Sequence, residues 1–293
     1  MKIDIEIIKN QIKNLSYGMI RDKVVNIYLN VKNWISYRIF LNKFGNYTIP
    51  LDYGVRYFDN FMEMSTTQLD DRYIRRQNWG DYHPGDLHQW YDPNAVNLEN
   101  GLNLSVTSNT KDITSYQING VYTEDNSVVT IPNGVGLVTS KESFKYGVYE
   151  WNIKLPKGSQ LWPAIWLSAE SSWPPEIDII EGYSDSNGKY GKNLNTNIHC
   201  GSTSTNHYGI GANRHGLFID SNKVLNLICH WERNSVRIYY NGFLCRVLTN
   251  KKDLKWMYNS RMLVIMNNAL RGMNHVSNES NTPLTILDFK YYS

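Results

Sequence analysis

The chain has 293 residues, which is room for one large β domain or two small ones, and its net charge of +3 with 19% charged residues favours no class of charged partner. The absence of a concentrated basic stripe argues against nucleic-acid binding, and no apolar run approaches the length of a membrane span. The charged N-terminus has no apolar region after it, so no secretory signal is visible. Three cysteines without metal-ligand spacing argue against a disulfide framework or a zinc site.

The first 55 residues differ in composition from the rest and are rich in Lys, Asn, Ile and Tyr. Apolar residues alternate like a strand from Ile3 to Ile7, whereas those from Ile8 to Ile20 also fit a helical stripe, so the periodicity leaves both open. We predict that residues 1–55 form an N-terminal segment or small accessory module, and that residues 56–293 form the main domain.

From Tyr57 onwards, short runs of β-branched and aromatic residues are separated by turn residues, above all Asn-Gly pairs. Many short strands with few helical periods predict an all-β fold, an antiparallel β-sandwich. Pro174 and Pro175 stand directly before one predicted strand, where a residue without an N–H donor is tolerated. The predicted strands are Leu102–Val106, Ser127–Ile131, Gly147–Leu155, Trp162–Leu167, Glu176–Glu181, Asn195–His199, Val224–Glu232, Val236–Tyr240, Met262–Asn267 and Leu284–Tyr291.

One of these strands carries three acids among three isoleucines, in the sequence Glu-Ile-Asp-Ile-Ile-Glu. Glu176 and Asp178 share one face because side chains on a strand alternate. Strict alternation would place Glu181 on the opposite, apolar face. We therefore predict a β-bulge at Ile179-Ile180, which brings all three carboxylates to one side of the sheet.

Two carboxylates about 5 to 5.5 Å apart on one face are what a retaining glycosidase requires, one as nucleophile and one as acid/base. An intervening aspartate adds negative charge that favours protonation of one member of the cluster, as a proton donor needs. A solubilising strand edge and a calcium site are the alternatives. Calcium prefers more oxygen ligands from a flexible loop, whereas the isoleucines favour a rigid strand.

Three segments resemble glycoside hydrolase family 16: Phe144-Lys-Tyr-Gly-Val-Tyr-Glu-Trp-Asn-Ile-Lys-Leu-Pro-Lys-Gly, Leu161-Trp-Pro-Ala-Ile-Trp-Leu and Glu176-Ile-Asp-Ile-Ile-Glu. The last has the bulged form of that family's acidic motif. Weaker similarities extend from Phe58 to Tyr292, so the resemblance covers about residues 57 to 293.

This resemblance implies a jelly-roll sandwich of the concanavalin A type with a concave cleft, and retaining endo-hydrolysis of a β-linked polysaccharide. It implies that Glu176 is the nucleophile, Asp178 the assisting residue and Glu181 the acid/base. No redox cofactor or nucleotide is indicated, and we assign no metal ligands. A structural calcium ion on the outer sheet is compatible with such a sandwich, but the sequence does not assign one.

Aromatic residues make up 13% of the chain, with 9 Trp and 21 Tyr, and flat rings suit the stacking of sugars as well as core packing. We expect Trp162 and Trp173 to stack on the sugar at the cleavage point, and Trp166 to share the face of Trp162. His199 is expected to hydrogen-bond Glu181 or the leaving sugar. The remaining candidates, for distal sugar contacts, are Trp79 and Trp90.

The favoured substrate is a β-1,3-glucan or a mixed β-1,3/1,4-glucan, because tryptophan-rich surroundings suit uncharged sugars. A red-algal galactan (agarose, porphyran or carrageenan) is an alternative. Recognition of its sulfates would require cationic side chains in the cleft, and the candidates are Arg72, Arg75, Arg76 and Arg214.

A lectin-like or adhesive protein, including one carried on a viral particle, is the alternative from another class, although a lectin has no need of the acidic trio. We expect a monomer whose partner is a polysaccharide, with neither nucleic acid nor membrane. Its location stays open, since without a visible signal the protein meets an extracellular glycan only if it is released or particle-borne.

Overall fold

The computed structural model describes residues 20–29, 47–83, 86–114, 128–185, 187–190, 194–211, 213–214, 223–271 and 281–293. In chain order the strands are β1 (Val55–Asn60), β2 (Tyr73–Ile74), β3 (Tyr82–His83), β4 (Asp86–Tyr91), β5 (Val96–Leu98), β6 (Leu102–Leu104), β7 (Val106–Thr107), β8 (Lys111–Thr114), β9 (Val128–Ile131), β10 (Gly134–Phe144), β11 (Gly147–Lys154), β12 (Leu161–Ala169), β13 (Glu176–Gly182), β14 (Leu194–Thr203), β15 (Asn206–Gly209), β16 (Asn213–Arg214), β17 (Leu225–Glu232), β18 (Ser235–Tyr240), β19 (Phe243–Leu248), β20 (Met262–Leu270) and β21 (Leu284–Tyr292).

Helices are few in the described part of the chain. They are α1 (residues 20–29), α2 (Thr66–Arg72), α3 (Lys251–Leu254) and two 3₁₀ turns, Pro93–Ala95 and Lys255–Met257. Helix α2 begins at a capping box, in which Ser65 accepts the Gln68 N–H and the Gln68 side chain accepts the Ser65 N–H. Among the described residues, no helix is long and apolar enough to span a membrane.

Two large sheets pack against each other across one apolar core. Within the described residues, an eight-stranded sheet has the order β19-β18-β17-β11-β21-β6-β5, with β1 also pairing with β21. An eleven-stranded sheet has the order β15-β14-β13-β12-β20-β10-β4-β3, and β16, β2 and β7 are attached at its sides. The largest buried cluster joins Trp151 and Phe289 of the first sheet to Ile165 and Ile177 of the second, so the predicted β-sandwich is confirmed.

The fold differs from the sequence-based prediction in several features. The pairing of β4 with β10 is parallel, so the sandwich is not antiparallel throughout. Strand β10, which contains Gly134 and Gly136, was not predicted, because Asn133-Gly134 at its start was interpreted as a turn. At both glycines, another part of the chain comes too close to leave room for a side chain. A Cβ atom on Gly134 would lie 2.5 Å from the Thr107 hydroxyl oxygen, and one on Gly136 would lie 2.5 Å from the Ala95 carbonyl oxygen.

Helix α1 docks at β19, the end strand of the smaller sheet. The Asn26 side chain donates to the Val247 carbonyl oxygen and accepts the Val247 N–H, both at 3.0 Å. Asp22 accepts the N–H groups of Thr249 and Asn250 at 2.7 and 2.9 Å. The patterns predicted from Ile3 to Met19 lie outside the described residues, and the division of the chain at residue 55 stays a prediction.

Candidate active site

The acidic strand β13 contains the predicted bulge. Asp178 pairs with Trp166 on β12 and Ile180 pairs with Ile165, which leaves Ile179 without a partner there. On the other side, β14 shows the same shift between Asp178 and Glu181. Ile179 and Ile180 are therefore both fully buried in the core, and Glu181 returns to the face of Asp178. We call the side of the sheet that carries Glu176, Asp178 and Glu181 the acidic face.

Glu176 lies at the beginning of β13, beside Trp173 and His199. The indole N–H of Trp173 donates to Glu176 Oε2 at 2.8 Å, and His199 Nε2 lies 3.5 Å from Oε1. Burial and the charge of Asp178 raise the pKa of Glu176 well above its usual range, and the His199 charge and the Trp173 hydrogen bond oppose this. The carboxylate form of Glu176 therefore depends on these two neighbours.

Asp178 lies between the two glutamates and is more deeply buried than either. Its side chain is 6% exposed, and His199 Nε2 lies 3.5 Å from its Oδ2 atom. Burial and the charge of Glu181 raise the pKa of Asp178 well above its usual range, against a hydrogen bond with Glu176 and the charge of Arg246. The acidic face therefore binds protons more readily than three separate surface carboxyls would.

Glu181 has an indole partner of its own. The N–H of Trp162 donates to Glu181 Oε1 at 3.2 Å. Burial raises the pKa of Glu181, and the Trp162 hydrogen bond and the His199 charge oppose the rise. Each glutamate is thus held by one tryptophan, and the raised pKa values of both glutamates favour a cluster that keeps a proton available for donation.

The predicted binding residues separate into near and distant ones. Trp162, Trp173 and His199 contact the carboxylates, as given above. Among the described residues, the ion-pair contacts of His199 are to Glu176 and Asp178 and not to Glu181. Trp166 lies opposite Asp178, and its N–H donates to Asn267 Oδ1 at 2.8 Å.

Trp90 lies away from the trio. Trp90 is on β4, four strands from β13 in the sheet order, or about 20 Å at the usual strand spacing. Its N–H donates to the Asn109 carbonyl oxygen, and Lys111 Nζ lies 4.9 Å from its ring centre. Trp79 is 48% exposed. Their distal contacts with sugar stay predictions.

Three side chains near the acids were missed by the sequence analysis. His207 on β15 lies 4.6 Å from Trp173, ring centre to ring centre. Tyr183 lies 4.8 Å from Trp162 in the same measure, and the guanidinium carbon of Arg271 lies 4.4 Å from the centre of the Tyr183 ring. The alternation that links Glu181 to Tyr183 was visible in the sequence, but the positions of His207 and Arg271 depend on strand pairing.

The arginines proposed for sulfate recognition mostly have carboxylate partners elsewhere. Arg72 pairs with Asp59, Arg75 with Asp70 and Arg76 with Asp81. The side chain of Arg214 lies outside the described part of the structure. The arginine whose charge acts on Asp178 is Arg246, which is not one of the four predicted.

The site also contains three side chains of the kinds that bind metal ions, Glu176, Asp178 and His199. One ligand atom from each lies within 4.8 Å of the others. Carboxylate and imidazole are ligands for several divalent transition metals. In the glycosidase mechanism expected from the sequence a sugar must reach Glu176, so a metal ion held by these three groups would compete with the substrate.

Comparison with known proteins identifies glycosyl hydrolases as relatives, both by sequence and by structure. The sequence model described as "Glycosyl hydrolases family 16" matches residues 89–285. The endo-1,3-1,4-beta-glycanase ExsH of Rhizobium meliloti (strain 1021) is 31% identical over 106 residues, which is 32% of this chain and 20% of that protein. The glucan endo-1,3-beta-glucosidase of Cryptopygus antarcticus is 32% identical over 89 residues, 28% of this chain and 32% of that protein. The chain thus matches a third or less of the length of these curated relatives.

A solved structure with a similar fold is the laminarinase catalytic domain from Thermotoga maritima MSB8. It superimposes with a TM-score of 0.61 at 20% sequence identity, over 83% of this chain and 98% of that one. The similarity to this structure confirms the jelly-roll type of β-sandwich that was expected from the sequence.

Proposed function

The chain belongs to glycosyl hydrolases family 16, and from this membership we propose that it is a retaining endo-hydrolase of a β-linked glucan with β-1,3 or mixed β-1,3/1,4 linkages. The named activities of its relatives, an endo-1,3-1,4-beta-glycanase and a glucan endo-1,3-beta-glucosidase, support this choice.

The arrangement of the two glutamates is the observation that carries the proposal. Glu176 and Glu181 lie on the same face because of the bulge, and each accepts a hydrogen bond from one tryptophan. A surface strand that only served solubility would have no reason to bury three acids, since burial of a carboxylate costs free energy. The trio also disfavours a lectin-like module, which binds sugar without acid/base groups.

In the proposed mechanism, Glu176 attacks the anomeric carbon of the sugar while Glu181 donates its proton to the departing glycosidic oxygen. The products of this step are a covalent glycosyl–Glu176 ester, an ionised Glu181 and a free sugar end. Glu181 then takes a proton from water, the resulting hydroxide attacks the ester, and Glu176 leaves as a carboxylate. Two displacements at the same carbon retain the β configuration. No cofactor takes part.

Asp178 and His199 prepare Glu176 for this role. An oxygen of the Asp178 carboxyl lies within 4.8 Å of one of Glu176, so its charge acts directly on the nucleophile. His199 Nε2 lies 3.5 Å from both groups and stabilises their negative charge when the imidazole is protonated. Once the ester forms and Glu176 is neutral, Asp178 is relieved of the charge of that neighbour.

The test uses purified protein with laminarin, barley β-glucan and lichenan, and measures the release of reducing ends. Glu176→Gln and Glu181→Gln are each expected to lower the rate by about 10²-fold or more. Glu99→Gln, at an exposed glutamate between β5 and β6, is the matched control. NMR of the first product should show the β anomer. Full rate in both site variants, or an inverted product, would refute the mechanism. Binding of glucan without cleavage would instead support the lectin-like alternative.

A further inference from the structure

Arg271 extends the pairing of β20 with β12 by one residue. Its backbone N–H donates to the Gln160 carbonyl oxygen at 2.9 Å, directly after the pair of Leu161 with Leu270. The side chain of Arg271 is exposed. Because side chains alternate along a strand, Arg271 shares its face with Asn267, which contacts Trp166 on the acidic face.

A continuous series of contacts joins this arginine to the acid/base. The guanidinium lies 4.4 Å from the centre of the Tyr183 ring, and that ring lies 4.8 Å from Trp162. Trp162 in turn donates its N–H to Glu181. Arg271 is therefore connected to Glu181 through the rings of Tyr183 and Trp162, on the same side of the sheet.

The charge of Arg271 has no ion-pair partner among the described residues. In the described part of the chain no carboxylate lies within 4.0 Å of it, whereas Arg72, Arg75 and Arg76 each have an aspartate partner. Tyr183 supports the flat face of the guanidinium by a cation–π contact, which leaves its N–H groups available. These N–H groups match the two oxygens of a carboxylate or sulfate.

Binding of an uncharged glucan would not require a cation at the position of Arg271. A cation that paired with Glu181 would lower the pKa of that group, which is the opposite of what a proton donor needs. The stacking on Tyr183 instead holds the guanidinium near Glu181 without an ion pair between them. The charge is thus available to a ligand rather than to the catalytic acid.

We propose that Arg271, supported by Tyr183, binds an anionic substituent, a carboxylate or a sulfate, on the polysaccharide next to the cleaved bond. The substrate is then an acidic β-linked polysaccharide rather than a neutral glucan. This proposal rests on the proposed function and refines its substrate.

The test compares three polymers with one backbone: a β-1,3-glucan, its carboxymethylated form and its sulfated form. The quantity measured is kcat/KM for each polymer at low and high ionic strength. The wild-type protein is expected to prefer an anionic form, and Arg271→Gln is expected to lower the anionic-to-neutral ratio about 10-fold or more. The polymer that shows the larger loss identifies carboxylate or sulfate as the ligand. High salt should weaken the wild-type preference.

Arg233→Gln is the matched control. Arg233 is also exposed and also stacks on a tyrosine, with its guanidinium 4.9 Å from the centre of the Tyr258 ring, but it lies in the β17–β18 hairpin of the other sheet. Its replacement should leave the anionic-to-neutral ratio unchanged. Arg271→Lys keeps the charge without the planar fork, and it should restore only part of the preference.

The proposal is overturned if Arg271→Gln changes kcat/KM by the same factor for the neutral and anionic polymers, or if the wild-type protein shows no preference. If the wild-type protein cleaves none of the three, the proposed function fails, and calorimetric binding of the anionic polymers still tests the subsite. Equal affinity of the wild-type and Arg271→Gln proteins in that measurement would refute it.

Discussion

The hydroxyl group of Tyr240 donates a hydrogen bond of 2.7 Å to the carbonyl oxygen of Ile179, the extra residue of the bulge in β13. Tyr240 lies on β18 of the opposite sheet and is fully buried. Ile179 has no ladder partner on β12, and an unpaired buried carbonyl group is costly. A side chain from the other layer therefore stabilises the irregularity that turns Glu181 towards the other acids.

Tyr240→Phe is expected to lower both stability and kcat. The buried carbonyl oxygen loses its main donor, at a cost of about 1–3 kcal/mol in the free energy of unfolding. The bulge then has more freedom, and Glu181 spends less time in reach of the glycosidic oxygen. The measurements are thermal unfolding and kcat on the preferred polymer.

Tyr190→Phe is the control for this prediction. Tyr190 is also buried, and its hydroxyl donates to the Pro156 carbonyl oxygen at 2.8 Å rather than to the bulge. It should lose comparable stability and keep its kcat. Equal kcat values in the two variants would show that the Tyr240 bond matters only for folding.

Replacement of Trp173 and replacement of Trp162 should shift opposite limbs of the profile of kcat/KM against pH. The nucleophile must be ionised and the acid/base protonated, so kcat/KM against pH is bell-shaped. Trp173→Phe removes a hydrogen bond that lowers the pKa of Glu176, so the acid limb should shift to higher pH. Trp162→Phe removes the corresponding bond to Glu181, so the basic limb should shift to higher pH. If each replacement moves the other limb, the roles of the two glutamates are reversed.

Asp178→Asn should stabilise the folded protein at neutral pH while lowering its activity. Burial and the Glu181 charge raise the pKa of Asp178 above its unfolded value, so ionisation of Asp178 favours unfolding. The amide removes this cost, and a gain of about 1 kcal/mol would raise Tm by roughly 2–4 °C. The gain is present above the folded-state pKa and disappears below the unfolded-state pKa, where Asp178 is neutral in both states.

Thermal unfolding at neutral and acidic pH measures this effect. Asp71→Asn, at an exposed aspartate of α2, should leave Tm unchanged at both pH values. A loss of stability in Asp178→Asn at neutral pH would mean that the hydrogen bonds of the carboxylate outweigh its burial.

The common face of the three acids on β13 could be predicted because it depends only on residues that are close together in the sequence. Alternation placed Glu176 and Asp178 together, and the need to recruit Glu181 required the bulge. Helix α2 was equally readable, since Ser65-Thr-Thr-Gln68 is a capping-box sequence, but it was not identified. What could not be predicted depends on which strands are neighbours.

Arg271 illustrates the limit. It lies 88 residues after Tyr183 in the chain and reaches it only because β20 pairs with β12 and β12 with β13. The glycines of β10 pose the same difficulty, because they reflect close approaches by Ala95 and Thr107 that no local pattern records.

Helix α1 gives the last prediction. An end strand exposes backbone N–H and C=O groups that can pair with other chains. Asp22 and Asn26 satisfy such groups at Val247, Thr249 and Asn250. Asp22→Ala should therefore increase amide hydrogen exchange at these three residues and, at high protein concentration, promote association through β19. Hydrogen exchange and light scattering measure the two effects.

Activity on the preferred polymer should persist in Asp22→Ala, because β19 belongs to the sheet opposite the acidic face. Asp52→Ala, at an exposed aspartate before β1, should change neither exchange at β19 nor association. If Asp22→Ala leaves exchange at Thr249 and Asn250 unchanged, the carboxylate does not hold α1 in place. The N-terminal segment would then require an explanation other than the protection of a sheet edge.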